Sequence, residues 1–180
     1  GQLMKRAMKG KIGLLQAAKA LQDEILNPQM SFDEDTNLLS AETKLAKNAK
    51  KVALMVLGTA AQKYMMALSE QQEVLINCAD IIMDAYQMES AILRAKKIAE
   101  KKGEEAAGCF IDMASVFCND AIQRIESKAK NTLTAIAEGD EGRTLLVALK
   151  RFTKNNSPVN TIAARQRIAD VLIGANAYTF

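Results

Sequence analysis

The 180-residue sequence contains no histidine and no tryptophan, only 2 prolines and 3 cysteines, and 4% aromatic residues. Each shortage excludes something. Without histidine there is no Ser-His-Asp or Cys-His nucleophile pair, no imidazole metal site and no imidazole proton shuttle. With so few prolines, long helices run uninterrupted, and the abundant Ala, Leu, Lys, Glu, Gln and Met favour them. No run alternates β-branched residues between turn dipeptides, so a strand signal is nearly absent. The odd cysteine count, inside helical patterns, fits reduced and buried thiols of a cytosolic protein. Cys109 and Cys118 fall about half a turn out of phase, on opposite sides of one helix, and cannot share a metal. No basic residue flanks Cys78 to activate its thiol.

What is present is a globular composition, with 49% hydrophobic and 25% charged residues and a net charge of +3. A chain of this length buries roughly 70% of its unfolded surface and needs neither disulfide nor metal to fold. The weak net charge lacks the concentrated basic stripe of a nucleic-acid binder. Charges instead alternate in blocks. Five lysines and no acid lie in residues 44–63, and eight acids against three bases lie in 104–142. Such blocks read as helix faces that are solvated or that pair with neighbours. The N-terminus has no signal-peptide apolar region, and the most apolar run, Val52 to Ala61, is shorter than the ~20 residues that span a bilayer. The chain begins without an initiator Met and in mid-helix character, as a piece of something longer would.

Periodicity predicts an all-α fold, an antiparallel bundle of three long helices with shorter N- and C-terminal ones. Residues 2–9 and 13–26 read as an N-terminal helical segment (1–26). Residues 27–40 form an acidic linker and 41–180 a single bundle. The helix from Ala41 to about Leu68 is apolar nearly all round in its second half, so it belongs at the centre. Ser69 and Gln72 offer a capping box for a helix running to Lys102 and stopped by Gly103. A fourth helix, about Glu104–Glu138, carries Phe110, Ala114, Phe117, Ala121, Ile125, Ala129, Leu133 and Ile136 as one stripe. A fifth, capped by Asp140, runs to about Thr153, and a last one, capped by Asn160 or Thr161, runs to about Ile173.

No catalytic, cofactor-binding or metal-binding residue stands out. Glu73, Asp80 and Asp84 share a narrow sector, but a bundle metal site would need inward-facing Glu and His, so a solvated or subunit-facing surface is the reading. Glu89 falls inside the apolar sector of the same helix. A carboxylate there must find a partner or reach water. Arg124, at the margin of the next helix's apolar stripe, is the candidate for a structural Glu89–Arg124 ion pair; a bundle-edge Glu89 is the alternative. Gly10-Lys-Ile-Gly13 is neither a P-loop nor a dinucleotide fingerprint. The Arg165-Gln-Arg167 helix is either solvated or turned to an acidic surface.

The segment Gln72-Glu-Val-Leu-Ile-Asn-Cys-Ala-Asp-Ile-Ile-Met-Asp-Ala-Tyr-Gln-Met-Glu-Ser-Ala-Ile-Leu-Arg-Ala-Lys96 resembles the region after the flavin domain in bacterial acyl-CoA dehydrogenases with a C-terminal extension. Glu138-Gly-Asp-Glu-Gly-Arg-Thr144, Ser157-Pro-Val-Asn-Thr161 and Arg165-Gln-Arg-Ile-Ala-Asp170 resemble the end of those chains, and Leu3-Met-Lys-Arg-Ala-Met8 their join to the catalytic body. The resemblance implies a non-catalytic helical domain of a parent enzyme that oxidises acyl-CoA thioesters at the α,β carbons. FAD would then be bound by the parent and not by this piece. The implied partners are the parent's catalytic body and a second subunit. None of the family's catalytic or FAD-binding motifs matches onto this sequence. In the mitochondrial very-long-chain members the extension is tied to membranes. Here the acidic Ser31–Asn37 linker would be repelled by anionic lipid, so neither membrane nor nucleic acid is an expected partner. A stand-alone helical interaction module is the alternative; an independent enzyme is a third reading that the missing histidine disfavours.

Overall fold

The computed structural model describes residues 6, 9–10, 13–27 and 36–178. Most of the expected helix over 2–9 and most of the acidic linker lie outside the described residues. Among the described residues the helices with stated bounds are α1 (Leu14–Leu26), α2 (Ser40–Tyr64), α3 (Gln72–Lys102), α4 (Glu104–Ile136), α5 (Gly139–Thr153) and α6 (Thr161–Ala175), and a 3-10 turn, Met65–Glu70, joins α2 to α3. Among the described residues there is no strand, so the fold is all-α as expected.

Antiparallel packing follows from the joints. Gly103 alone separates α3 from α4, at φ +85, a backbone conformation that glycine adopts without steric cost and that reverses the chain. Side-chain bonds mark the same direction. Climbing α2 from Thr43 to Lys50 descends α3 from Lys96 to Glu89, and climbing α4 from Arg124 to Lys128 descends α3 from Asp84 to Asp80.

α2 occupies the centre, touching α1, α3, α4 and α5. Its Ala49, Val52, Val56 and Ala60 are fully buried. The stretch Ser40–Glu70 is long and apolar enough, by composition alone, to cross a membrane, which the ten-residue run Val52–Ala61 did not reveal. In the fold, the buried side of α2 lies in the common core with α3, α4 and α5. The α4 stripe is realised in Ala114, Ala121, Ile125, Ala129, Leu133 and Ile136, all buried, with Phe110 and Phe117 half-buried at its border. α1 packs through Leu21 and is tied by Lys51 to Glu24 (2.6 Å) and by Arg151 to the Glu24 carbonyl (3.2 Å). At the start of α5, Gly142 sits where a Cβ would lie 3.0 Å from the Ala137 carbonyl oxygen, so no larger residue fits without movement.

Two capping expectations fail. Met65 adopts φ +47 and breaks α2; the chain then tightens into the 3-10 turn, which absorbs Ser69, and α3 begins after Gln71 with no side-chain cap. Asp140 lies in the first turn of α5, where a carboxylate favours the helix dipole, rather than at its cap, Glu138. Asn160 does cap α6, its side-chain oxygen accepting from the Ala163 N–H at 3.1 Å. α2 starts behind Leu39, held at φ +55; burial of Leu39 and the Thr43 hydroxyl donating to its carbonyl (2.6 Å) hold that strained residue in place.

Candidate functional site

Among the described residues, three polar constellations join α4 to neighbouring helices. The first joins α3 to α4. Arg124 donates through Nη2 and Nε to the two carboxylate oxygens of Asp84, at 2.7 and 3.3 Å, and stacks over the Phe117 ring at 5.6 Å. Asp84 is buried, whereas Arg124 reaches from the surface. This bidentate bond holds the Arg124 guanidinium above its usual pKa, against a smaller opposing effect of burial. One turn along, Lys128 binds Asp80.

The Glu89–Arg124 pair is therefore not formed. Glu89 binds Lys50 of α2 instead, in an exposed contact. The reason is rotational: five residues separate Asp84 from Glu89, about 140° around the helix, so one looks at α4 and the other at α2. Of the acidic sector only Glu73 is solvated; Asp80 and Asp84 face α4 and pair with Lys128 and Arg124. Sequence reasoning missed a usable signal, the matching i, i+4 spacing of Asp80/Asp84 and Arg124/Lys128 on neighbouring antiparallel helices.

The second constellation lies between α2 and α4, where the Ser115 hydroxyl donates to buried Glu42 at 2.6 Å. The third joins α6 to α4. Arg165 binds Asp120 at 2.6 Å, and Arg167 binds Asp112 bidentately at 2.7 and 2.5 Å. The acidic surface met by Arg165 and Arg167 is thus internal to the chain.

In the first and third sets each cation pairs with one carboxylate. In the second, the Glu42 carboxylate accepts from the Ser115 hydroxyl and joins no ion pair among the described residues, and both side chains are buried. Among the described residues no group of three or more Asp, Glu or Cys is placed to hold a metal. A shallow open groove beside α4 and the end of α5 is lined by Asn119, Gln123, Glu126, Lys150 and Lys154. Its lining sets Glu126 beside Lys150 and Lys154.

The three thiols are free, with Cys78 and Cys118 buried. Burial pushes Cys78 up to about 11, and burial with the nearby Glu42 charge pushes Cys118 up to about 12, so both stay protonated and unreactive near neutrality. A raised folded-state pKa favours the protonated, folded form. Its stabilisation is complete below pH ~9, where the unfolded thiol also keeps its proton, and is lost as pH rises toward 11–12. Chemical denaturation between pH 8 and 11 should therefore show stability falling above pH ~9, by a few kcal/mol in all, and Cys118→Ala should flatten that fall.

The family model for the acyl-CoA dehydrogenase C-terminal domain matches residues 48–151. That span begins within α2 and ends near the end of α5, so it contains all of the α3–α4 ladder. A probable acyl-CoA dehydrogenase of Bacillus subtilis is 38% identical over 176 residues, which are 98% of this chain and 29% of the relative. The crystal structure of an acyl-CoA dehydrogenase complexed with FAD from Bacillus anthracis superimposes with a TM-score of 0.94 at 39% identity, covering 100% of this chain and 30% of that one. The chain thus spans about three tenths of the length of both relatives. By sequence and by fold, it belongs to the acyl-CoA dehydrogenase family and corresponds to the C-terminal domain.

Proposed function

We propose that residues 1–180 act as a non-catalytic docking domain at the C-terminal end of a longer, FAD-dependent acyl-CoA dehydrogenase chain. In this reading the parent oxidises acyl-CoA thioesters at the α,β carbons, and the flavin and the proton-abstracting base lie in the preceding catalytic body. Residues 1–26 and the 27–40 linker lead in from that body, and the bundle stiffens it and supports a second subunit, in the cytoplasm. The observation that supports the reading is a whole-chain likeness to the C-terminal part of a flavin-bound relative.

Titrating the purified 180-residue chain with FAD tests it. No change in flavin fluorescence and no oxidation of acyl-CoA by the mixture are expected. Saturable flavin binding would mean that the domain carries part of the active site.

A further inference from the structure

The outward side of α3 is apolar where a lone amphipathic helix would be polar. Ile76, Ala79, Met83, Tyr86, Ser90, Leu93 and Lys97 are all exposed, and their spacing is a strict alternation of three and four residues. The large members are far from buried, with Ile76 at 59%, Met83 at 52%, Tyr86 at 69% and Leu93 at 60% exposure. The opposite positions of the same heptads, Val74, Ile81, Met88 and Ala95, are the ones that face the core. Ser90 does not interrupt the stripe with an unmet polar group, because its hydroxyl donates to the Tyr86 carbonyl at 2.9 Å. A three–four alternation is the seam by which one helix packs along another at a shallow angle. No described element of this chain lies on it, since α3 touches only α2, the 3-10 turn and α4.

We propose that this seam is the face by which the domain docks, and that its occupant is an α-helix of the catalytic body in the same longer chain. The proposal rests on the docking-domain reading above. Three observations point to that occupant. The spacing selects a helix rather than a strand or a loop. From Ile76 to Leu93 the seam runs about 26 Å and is one helix wide, suited to a contact between tethered domains and small for two freely diffusing subunits, which need about 800 Å² each. Tethering supplies a millimolar effective concentration, so a modest apolar contact suffices, and both relatives carry some seven tenths of their length outside the matched region. Charge fixes the orientation. Arg94, Lys97 and Lys101 cluster at the C-terminal end of the seam and join none of the ion pairs found among the described residues. The docking helix should therefore pair its own three–four apolar stripe with Ile76, Met83, Tyr86 and Leu93, and place carboxylates against Arg94 and Lys97.

Thiol labelling tests this, with Met83→Cys as the seam reporter and Lys130→Cys on α4 as the reporter away from it, each in the 180-residue chain and in the longer chain. Met83→Cys should react at least ~10-fold more slowly in the longer chain, while Lys130→Cys changes less than ~2-fold. Adding Ile76→Asp and Leu93→Asp to the longer chain should restore fast labelling at Met83→Cys. Protection of Lys130→Cys without Met83→Cys would overturn the seam and leave docking through another face. Protection of neither would overturn the docking reading as well. If Met83→Cys is already shielded in the 180-residue chain and light scattering reports a dimer, a second copy covers the seam and the proposal is wrong. Shielding that appears only on adding anionic vesicles would assign the seam to a membrane, with the same consequence.

Discussion

Ile125→Ala is expected to destabilise the domain by about 3 kcal/mol, within the 2–5 kcal/mol range for truncating a buried Ile, and to lower the melting temperature by roughly 6–12 °C. Ile125 is fully buried in the middle of α4, in the core shared with α2 and α3. Its neighbours along the stripe, Ala121 and Ala129, are also fully buried and have no side-chain length with which to fill a void. That argues for a large residual cavity. Ile125→Val should cost about 1 kcal/mol. Val147→Ala on the outer side of α5, where Val147 is 71% exposed, should change stability by less than about 0.5 kcal/mol. Urea unfolding of the three variants checks the ordering.

The second large effect is expected at the α3–α4 ladder. Arg124→Ala strips the buried Asp84 carboxylate of the one side-chain partner it has among the described residues and removes the cation from the Phe117 ring. Loss of a buried pair costs about 3–5 kcal/mol when both groups are inside, and Arg124 is 44% exposed, so about 2–3 kcal/mol is the expected cost. Asp84→Asn should cost less, because the amide keeps an acceptor for Arg124 and strands no charge. A double-mutant cycle separates the competing assignments. Arg124 with Asp84 should show coupling above about 1 kcal/mol, Arg124 with Glu89 none, and Lys50 with Glu89 no more than about 0.5 kcal/mol, because both of the last two are over 40% exposed. A strong Arg124–Glu89 coupling would restore the pairing that the sequence suggests.

Why that pairing looks right in the sequence, and is not, has a geometric answer. Helical periodicity separates polar from apolar sectors, and it located all three long helices, the α4 stripe, the Gly103 stop and the Asn160 cap. It does not say which apolar sector faces inward when a helix has two. α3 is apolar on its core side, through Ile81 and Met88, and again on its outer side, through Ile76, Met83 and Tyr86. Glu89 lies at the border of these sectors, beside α2, and in the sequence it merges with both. Asp84, inside the polar sector, is the carboxylate that becomes buried, because the polar sector faces α4. The 3-10 turn over Met65–Glu70 was illegible for a different reason. Nothing in Tyr64-Met-Met-Ala-Leu68 marks a break, and the turn exists because α2 must stop where α3 starts back along it.

The family was legible in capping and packing phrases rather than in any catalytic motif. The shortage of histidine, read alone, excludes whole classes of mechanism from these residues. Read with the likeness to one end of a flavin-bound relative, it fits a chain whose work is to hold on to something.

The most direct measurement compares the longer acyl-CoA dehydrogenase chain with the same chain lacking residues 1–180. If the domain docks as proposed and leaves the cofactor to the body, the truncated body should keep its flavin spectrum and should unfold and release flavin at a temperature several degrees lower. Loss of flavin from a body that remains folded would place residues of this domain in the cofactor site. An unchanged unfolding temperature would show that the domain does not dock. Either result would contradict the account.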